Sequence, residues 1–153
     1  MTSTWDRRWM ELARHVAEWS KDRSRKVGAV IVDGRNVAAS LGWNGFPRGV
    51  DDNVDARHAR PAKYLWTEHA ERNAIYNAAA AGHPTLGCSM FLPWYPCADC
   101  ARAIIQAGIS TVVAVEPDWQ DPTYAADFAV VREMFAEAGL RVRFLPGEAP
   151  VRT

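Results

Sequence analysis

The 153-residue chain predicts an α/β fold, a three-layer α/β/α sandwich around a mixed sheet of about five strands. Three observations carry that expectation. An amphipathic helical stripe opens the chain, two apolar runs joined by a turn follow it, and the remainder alternates strand, helix and strand. Trp5, Trp9, Leu12, Val16 and Trp19 recur at steps of four and three, the period of one helix face. Val27–Val32 and Val37–Leu41 are apolar and partly β-branched. Asp33, Gly34, Arg35 and Asn36 between them suit a tight turn joining antiparallel strands. The stretch from Gly42 to Trp66 holds three glycines and two prolines without periodicity, which reads as one long loop. Thr67 is a suitable N-cap for a helix running through the alanines to Ala81, where Gly82, His83 and Pro84 stop it. Strands at Ser89–Leu92 and Thr111–Val115 flank a helix from Cys97 to Ala107 that Gly108 ends, a rhythm implying a right-handed parallel crossover. Tyr124, Phe128, Val131 and Phe135 mark one more helix, ended by Gly139, before a final strand at Arg141–Leu145.

A chain of this length buries roughly 70% of its unfolded surface in one core, so residues 1–153 are expected to form a single domain. Lysine plus arginine (18) equals aspartate plus glutamate (18). No excess of positive charge exists to hold a long nucleic acid by counterion release, which leaves a small molecule as the expected partner. Charged residues interrupt the first twenty positions, unlike a secretory signal, and no apolar run approaches bilayer length. These features predict a cytoplasmic protein. Three cysteines, two of them three positions apart, suit a metal or redox site better than a disulfide framework.

Two short motifs carry chemistry: His69-Ala70-Glu71 and Pro96-Cys97-Ala98-Asp99-Cys100, each at the predicted start of a helix. Cys97 and Cys100 share a helix face, and the positive end of the helix dipole favours the thiolates a metal requires. One imidazole and two thiolates suit Zn2+, neutralise its charge, and leave a fourth tetrahedral position open. Glu71 is then the proton acceptor beside the open position. His69 and Glu71, two residues apart, can share a pocket only at the first turn of the helix. A redox dithiol is the competing reading of the cysteine pair, and it leaves the His69 and Glu71 spacing unexplained. Cys88 reads as a small core residue. His58, with Arg57 and Arg60, reads as a solvated cluster or an anion contact. Of Trp94 and Tyr95, one could wall a planar base, and sheet-edge packing is the alternative for both.

The His-x-Glu and Pro-Cys-x-x-Cys pair resembles the signature of zinc nucleobase deaminases. The resemblance implies hydrolysis of a ring amine, with zinc activating water and Glu71 carrying its proton to the ring nitrogen and then to the departing ammonia. It extends to Lys26-Val27-Gly28-Ala29-Val30-Ile31, Asn44-Gly45-Phe46-Pro47-Arg48-Gly49 with Asp51 and Asp52, Arg72-Asn73-Ala74-Ile75, and Ile104-Ile105-Gln106-Ala107-Gly108-Ile109. Together these are similar to the deoxycytidylate deaminase branch of the cytidine deaminase superfamily. That branch implies deoxycytidine monophosphate as substrate and a homo-oligomer, with Asn44 at the sugar and Lys26 or Arg48 near the phosphate; Tyr95, from its place just before the cysteine motif, is the further expected substrate contact. Trp43 departs from the usual tyrosine, and Trp94-Tyr95 is bulkier than usual. No added cysteines supply a second zinc, so the 42–66 loop is expected to be held by packing or by a neighbouring subunit. A deaminase of a free base or another aminoheterocycle, and a non-catalytic zinc module, stay open.

Overall fold

Ser3 and Asp6 start the first helix by exchanging bonds: Asp6 N–H donates to Ser3 Oγ at 3.0 Å and Ser3 N–H donates to Asp6 Oδ2 at 3.1 Å. A computed structural model describes residues 2–147, so the ends of the expected domain, 1 and 148–153, lie outside the described residues. The elements run α1 (Thr4–Ala17), β1 (Gly28–Val32), β2 (Ala38–Trp43), α2 (Asp55–His58), α3 (Lys63–Trp66), α4 (Ala70–Ala81), β3 (Ser89–Leu92), α5 (Ala98–Gln106), β4 (Thr111–Val115), α6 (Ala125–Glu137) and β5 (Arg141–Leu145). Among the described residues the strands form one five-stranded sheet in the order β2-β1-β3-β4-β5. β1 is antiparallel to β2 and β3, while β3, β4 and β5 run parallel. The sheet is therefore mixed, as expected, with α5 crossing between its parallel partners.

Strand alternation divides the interior in two. Val30, Val32, Phe91, Val113 and Leu145 face α1, whereas Ala29, Ile31, Met90, Leu92, Val112 and Ala114 face the helices that carry the site. The α1 stripe is a correction. Val16 is buried and Trp9 and Leu12 pack partly buried against the core, as expected, but the buried face is centred on Met10, Ala13 and Ala17, with Trp5 and Trp19 about half exposed. Small residues win that face because α1 lies against β1 at Gly28, where an added Cβ would sit 2.1 Å from Ala13 O. The tryptophans take the rim: Trp5 stacks on Trp9, and Trp19 meets Trp43 edge-on.

Two further boundaries differ. The predicted N-cap Thr67 instead closes α3, its N–H donating to Lys63 O. Glu68 pairs with Gly45 through two backbone bonds, so the 67–69 segment is pinned to the end of β2 and α4 begins at Ala70. The 42–66 loop also contains the end of β2 together with α2 and α3. Its own contacts hold it: Phe46 stacks on His58, His58 Nε2 bonds Asp52 O at 2.7 Å, and Arg57 lies over Trp66. His58 is thus a packing residue, and Cys88 is buried in the core. Among the described residues no helix is long and apolar enough to cross a membrane.

Candidate metal centre and its cleft

Both chemical motifs sit where a helix begins, and the helix caps set their geometry. His69 is the N-cap of α4, extended at φ −82° and ψ 152°, so its ring leaves the helix direction that Glu71 follows one residue inside the first turn. Cys97 is likewise the N-cap of α5, and Cys100 lies in that helix's first turn. His69 Nδ1 is 3.5 Å from Cys97 Sγ and 3.5 Å from Cys100 Sγ. Tetrahedral zinc with bonds of about 2.05 Å to nitrogen and 2.3 Å to sulfur requires N···S edges of about 3.6 Å. All three donor atoms lie within 4.8 Å of one another, so the donor set and its spacing fit zinc.

Contacts from outside the motifs fix both helix starts. Gly42 of β2 lets α4 approach backbone to backbone, since a Cβ there would meet Ala70 O and Ala74 N at 2.3 Å. Glu68 accepts from His69 N–H at 2.9 Å and pairs with Arg72, whose guanidinium reaches toward Asp99 on α5. On the other side, Asp127 of α6 accepts from Ala98 N–H at 2.9 Å, capping the first turn of α5 where Cys97 offers no side-chain cap.

The electrostatics follow from these contacts. Cys97 sulfur receives bonds from Cys100 and His69, which bring its thiol down to about 4 despite burial. The Cys100 thiol, the donor in that pair and buried, is pushed up. The hydrogen bond to Cys97 raises His69. Glu71 is only 4% exposed, and burial drives its carboxyl above the usual range.

A cleft of about 230 Å³ opens beside these residues and is lined by His69, Glu71 and Cys97 on one side. Trp94, Tyr124 and Phe128 form an aromatic wall, and Asn44, Arg25, Lys63 and Arg60 complete the lining. Asn44 is 7% exposed, and its amide is bonded to the backbone, accepting from Val27 N–H and donating to Arg25 O. Three expected substrate contacts lie elsewhere. Tyr95 is 2% exposed in the core, ringed by Trp119, Phe128, Phe135 and Phe144, so the aromatic wall belongs to Trp94. Lys26 turns outward to Glu18 while its neighbour Arg25 turns into the cleft. Arg48 bonds Asn77 on α4's outer side and lines a separate surface groove. Sequence reasoning missed Arg25, Lys63, Tyr124 and Asp127. Arg25 directly precedes the Lys26–Ile31 segment, which is a local signal for it, whereas nothing local marks Asp127.

Residues 3–116 match the family described as the cytidine and deoxycytidylate deaminase zinc-binding region. An uncharacterised deaminase in the luxG 3′ region of Aliivibrio fischeri is 41% identical over 148 residues, covering 95% of this chain and 97% of that one. Deoxycytidylate deaminase of Homo sapiens is 36% identical over 148 residues, covering 93% and 80%. The crystal structure of dCMP deaminase from the cyanophage S-TIM5 in apo form matches with a TM-score of 0.73 and 27% identity, over 95% of this chain and all of that one.

Proposed function

The chain belongs to the cytidine and deoxycytidylate deaminase family and is a hydrolytic deaminase, and from that premise we propose that it converts deoxycytidine monophosphate and water to deoxyuridine monophosphate and ammonia. The observation that carries this reading is the equal 3.5 Å spacing of His69 Nδ1 from both cysteine sulfurs, with a buried glutamate lining the same cleft. Kinship with deoxycytidylate deaminases supports the choice of nucleotide.

His69, Cys97 and Cys100 would hold zinc, which when bound would supply Lewis acidity toward a water. The remaining steps belong to the chain. Glu71 takes a proton from the attacking water and gives it to the ring nitrogen beside the amine-bearing carbon. The water oxygen bonds to that carbon, and as the carbon–nitrogen bond breaks and the carbonyl forms, Glu71 carries the oxygen's remaining proton to the amine, which leaves as ammonia. A carboxyl raised by burial suits this work, because its pKa moves toward the operating pH. Trp94, Tyr124 and Phe128 line this cleft with aromatic surface beside the place a planar base would take.

Ammonia release from deoxycytidine monophosphate, deoxycytidine and cytosine, measured on protein of known zinc content, tests the reading. The monophosphate should turn over fastest; faster turnover of the base or the nucleoside overturns it. The exposed apolar side chains of Tyr64, Leu65 and Tyr76 support a homo-oligomer, which a monomer mass by light scattering would overturn.

A further inference from the structure

The aromatic wall of the cleft holds a cation for which the protein supplies almost no acceptor. The Arg25 guanidinium carbon lies 4.1 Å from the centroid of the Trp94 ring and 5.2 Å from that of Tyr124. Its Nε is buried with no hydrogen-bond partner. The remaining polar contact of its side chain, among the described residues, is a 3.5 Å approach of Nη2 to the Tyr124 hydroxyl, beyond normal hydrogen-bond distance. A guanidinium carries five donors and no acceptor, so one sequestered in this way calls for an acceptor from outside the chain.

The nearby carboxylates do not meet that need. Asp22 lines the same cleft, but Lys63 Nζ lies 2.9 and 3.0 Å from its two oxygens, and the backbone N–H groups of Ser24 and Arg25 also bond to it. Glu71 stands with the metal ligands. Arg60 adds a second positive charge to the cleft, and it is exposed, with no ion pair among the described residues. The balance on this side of the cleft is therefore positive. Arg25 is also held in advance: Asn44 Nδ2 donates to its carbonyl at 2.8 Å, Asp22 accepts its N–H at 3.0 Å, and two rings flank its planar head.

We propose that Arg25 is the specificity-determining residue that binds the 5′ phosphate of the substrate, its guanidinium fork meeting two phosphate oxygens while Trp94 keeps the fork's plane fixed. The inference rests on the nucleotide reading given above. A planar fork on an aromatic face suits a phosphate monoester better than a lysine would, and neither Lys26 nor Arg48 lines this cleft.

The test compares wild type with R25Q, R25K and K26Q, following ammonia release from deoxycytidine monophosphate and from deoxycytidine. A competition arm adds inorganic phosphate to the deoxycytidine reaction. In R25Q, kcat/KM for the nucleotide should fall about 10- to 100-fold, mainly through KM, the range expected for hydrogen bonds to a charged group. Turnover of deoxycytidine should stay within about threefold, and phosphate should cease to inhibit. R25K should lose about tenfold on the nucleotide, and K26Q should keep the wild-type ratio of the two substrates. An unchanged ratio in R25Q, equal loss on both substrates, or loss of the ratio in K26Q overturns the assignment. Should R25Q fail to fold, R25K decides, and a wild-type ratio there overturns it. A wild type that does not distinguish nucleotide from nucleoside defeats the nucleotide reading itself, a different outcome from failure of Arg25 alone.

Discussion

Replacing Gly42 with alanine should separate the two jobs of α4, covering the sheet and aiming the site. The added Cβ would stand 2.3 Å from Ala70 O and from Ala74 N, and 2.8 Å from Ala74 Cα. These are backbone atoms, so no rotamer change relieves the clash. Restoring ordinary contact at about 3.4 Å requires α4 to retreat from β2 by about 1 Å. Overpacking of this kind costs about 1–3 kcal/mol, which lowers Tm by about 2–12 °C for a domain of this size. The same retreat moves His69 and Glu71 away from Cys97 and Cys100, which sit on α5 and are tied to α6. A 1 Å misplacement costs about 100-fold in rate. The expected result for G42A is a folded protein with lowered Tm, weakened zinc retention and kcat reduced about 100-fold. Gly34→Ala is the control, because a Cβ there meets nothing within 4 Å. Differential scanning calorimetry, zinc determination and ammonia release give the three readouts. Lowered Tm with unchanged kcat would refute the claim that the close approach at Gly42 positions the site.

E71Q should retain zinc while losing about 100- to 10,000-fold in kcat, the range for removing a general acid–base group; more than a tenth of wild-type activity would overturn the role of Glu71. D127A leaves Ala98 N–H without its acceptor, which should cost about 1 kcal/mol in denaturant unfolding and speed zinc loss to a chelator. D127N keeps an acceptor and should recover most of both effects, and equal behaviour of the two variants would count against the cap. Arg143, bonded at 2.8 and 2.9 Å, holds the Asp6 carboxyl below its usual range. That contribution is complete above pH 3.8 and fades as pH falls through the lower folded-state value. The stability difference between wild type and D6N should therefore shrink as pH is lowered from 6 to 3, and a pH-independent difference in urea titrations would refute it.

The parts of this molecule legible in the sequence are those whose cause is local. Apolar strand runs and helical periods are set within a few residues, so β3, β4, β5 and α5 fall where their patterns indicate. The clustering of His69, Cys97 and Cys100 was legible because imidazole and paired thiolates are uncommon and their spacing is short. Helix α1 failed at finer grain for a physical reason. Its bulkiest side chains mark the stripe in sequence, yet the closest contact with β1 needs its smallest ones, and Gly28 against Ala13 decides the matter. The start of α4 failed because the backbone pairing of Gly45 with Glu68 competes with the helix for residues 67–69. Gly45 lies 23 positions upstream of its partner, outside any local window.

The lining of the cleft was the least legible part because adjacent residues point to opposite sides and the choice between them is made by distant partners. Tyr95 goes inward because Phe128, Phe135 and Phe144 enclose it, which leaves Trp94 to face the cleft. Arg25 goes inward because Asn44, 19 positions away, holds its carbonyl, and because Lys63, 41 positions from Asp22, occupies the carboxylate that would otherwise draw the guanidinium aside. Lys26 is released to solvent by the same contacts. A buried ion pair of this kind contributes little net stability once both charges are desolvated. Its effect here is directional, because Lys63 engages Asp22 and so leaves Arg25 without a protein counterion inside a cleft that also holds a metal-ligand set. Loss of Lys63, which lines the same cleft, should therefore free Asp22 to pair with Arg25 and raise the KM for deoxycytidine monophosphate more than that for deoxycytidine in ammonia-release assays; equal KM changes for the two substrates would refute this.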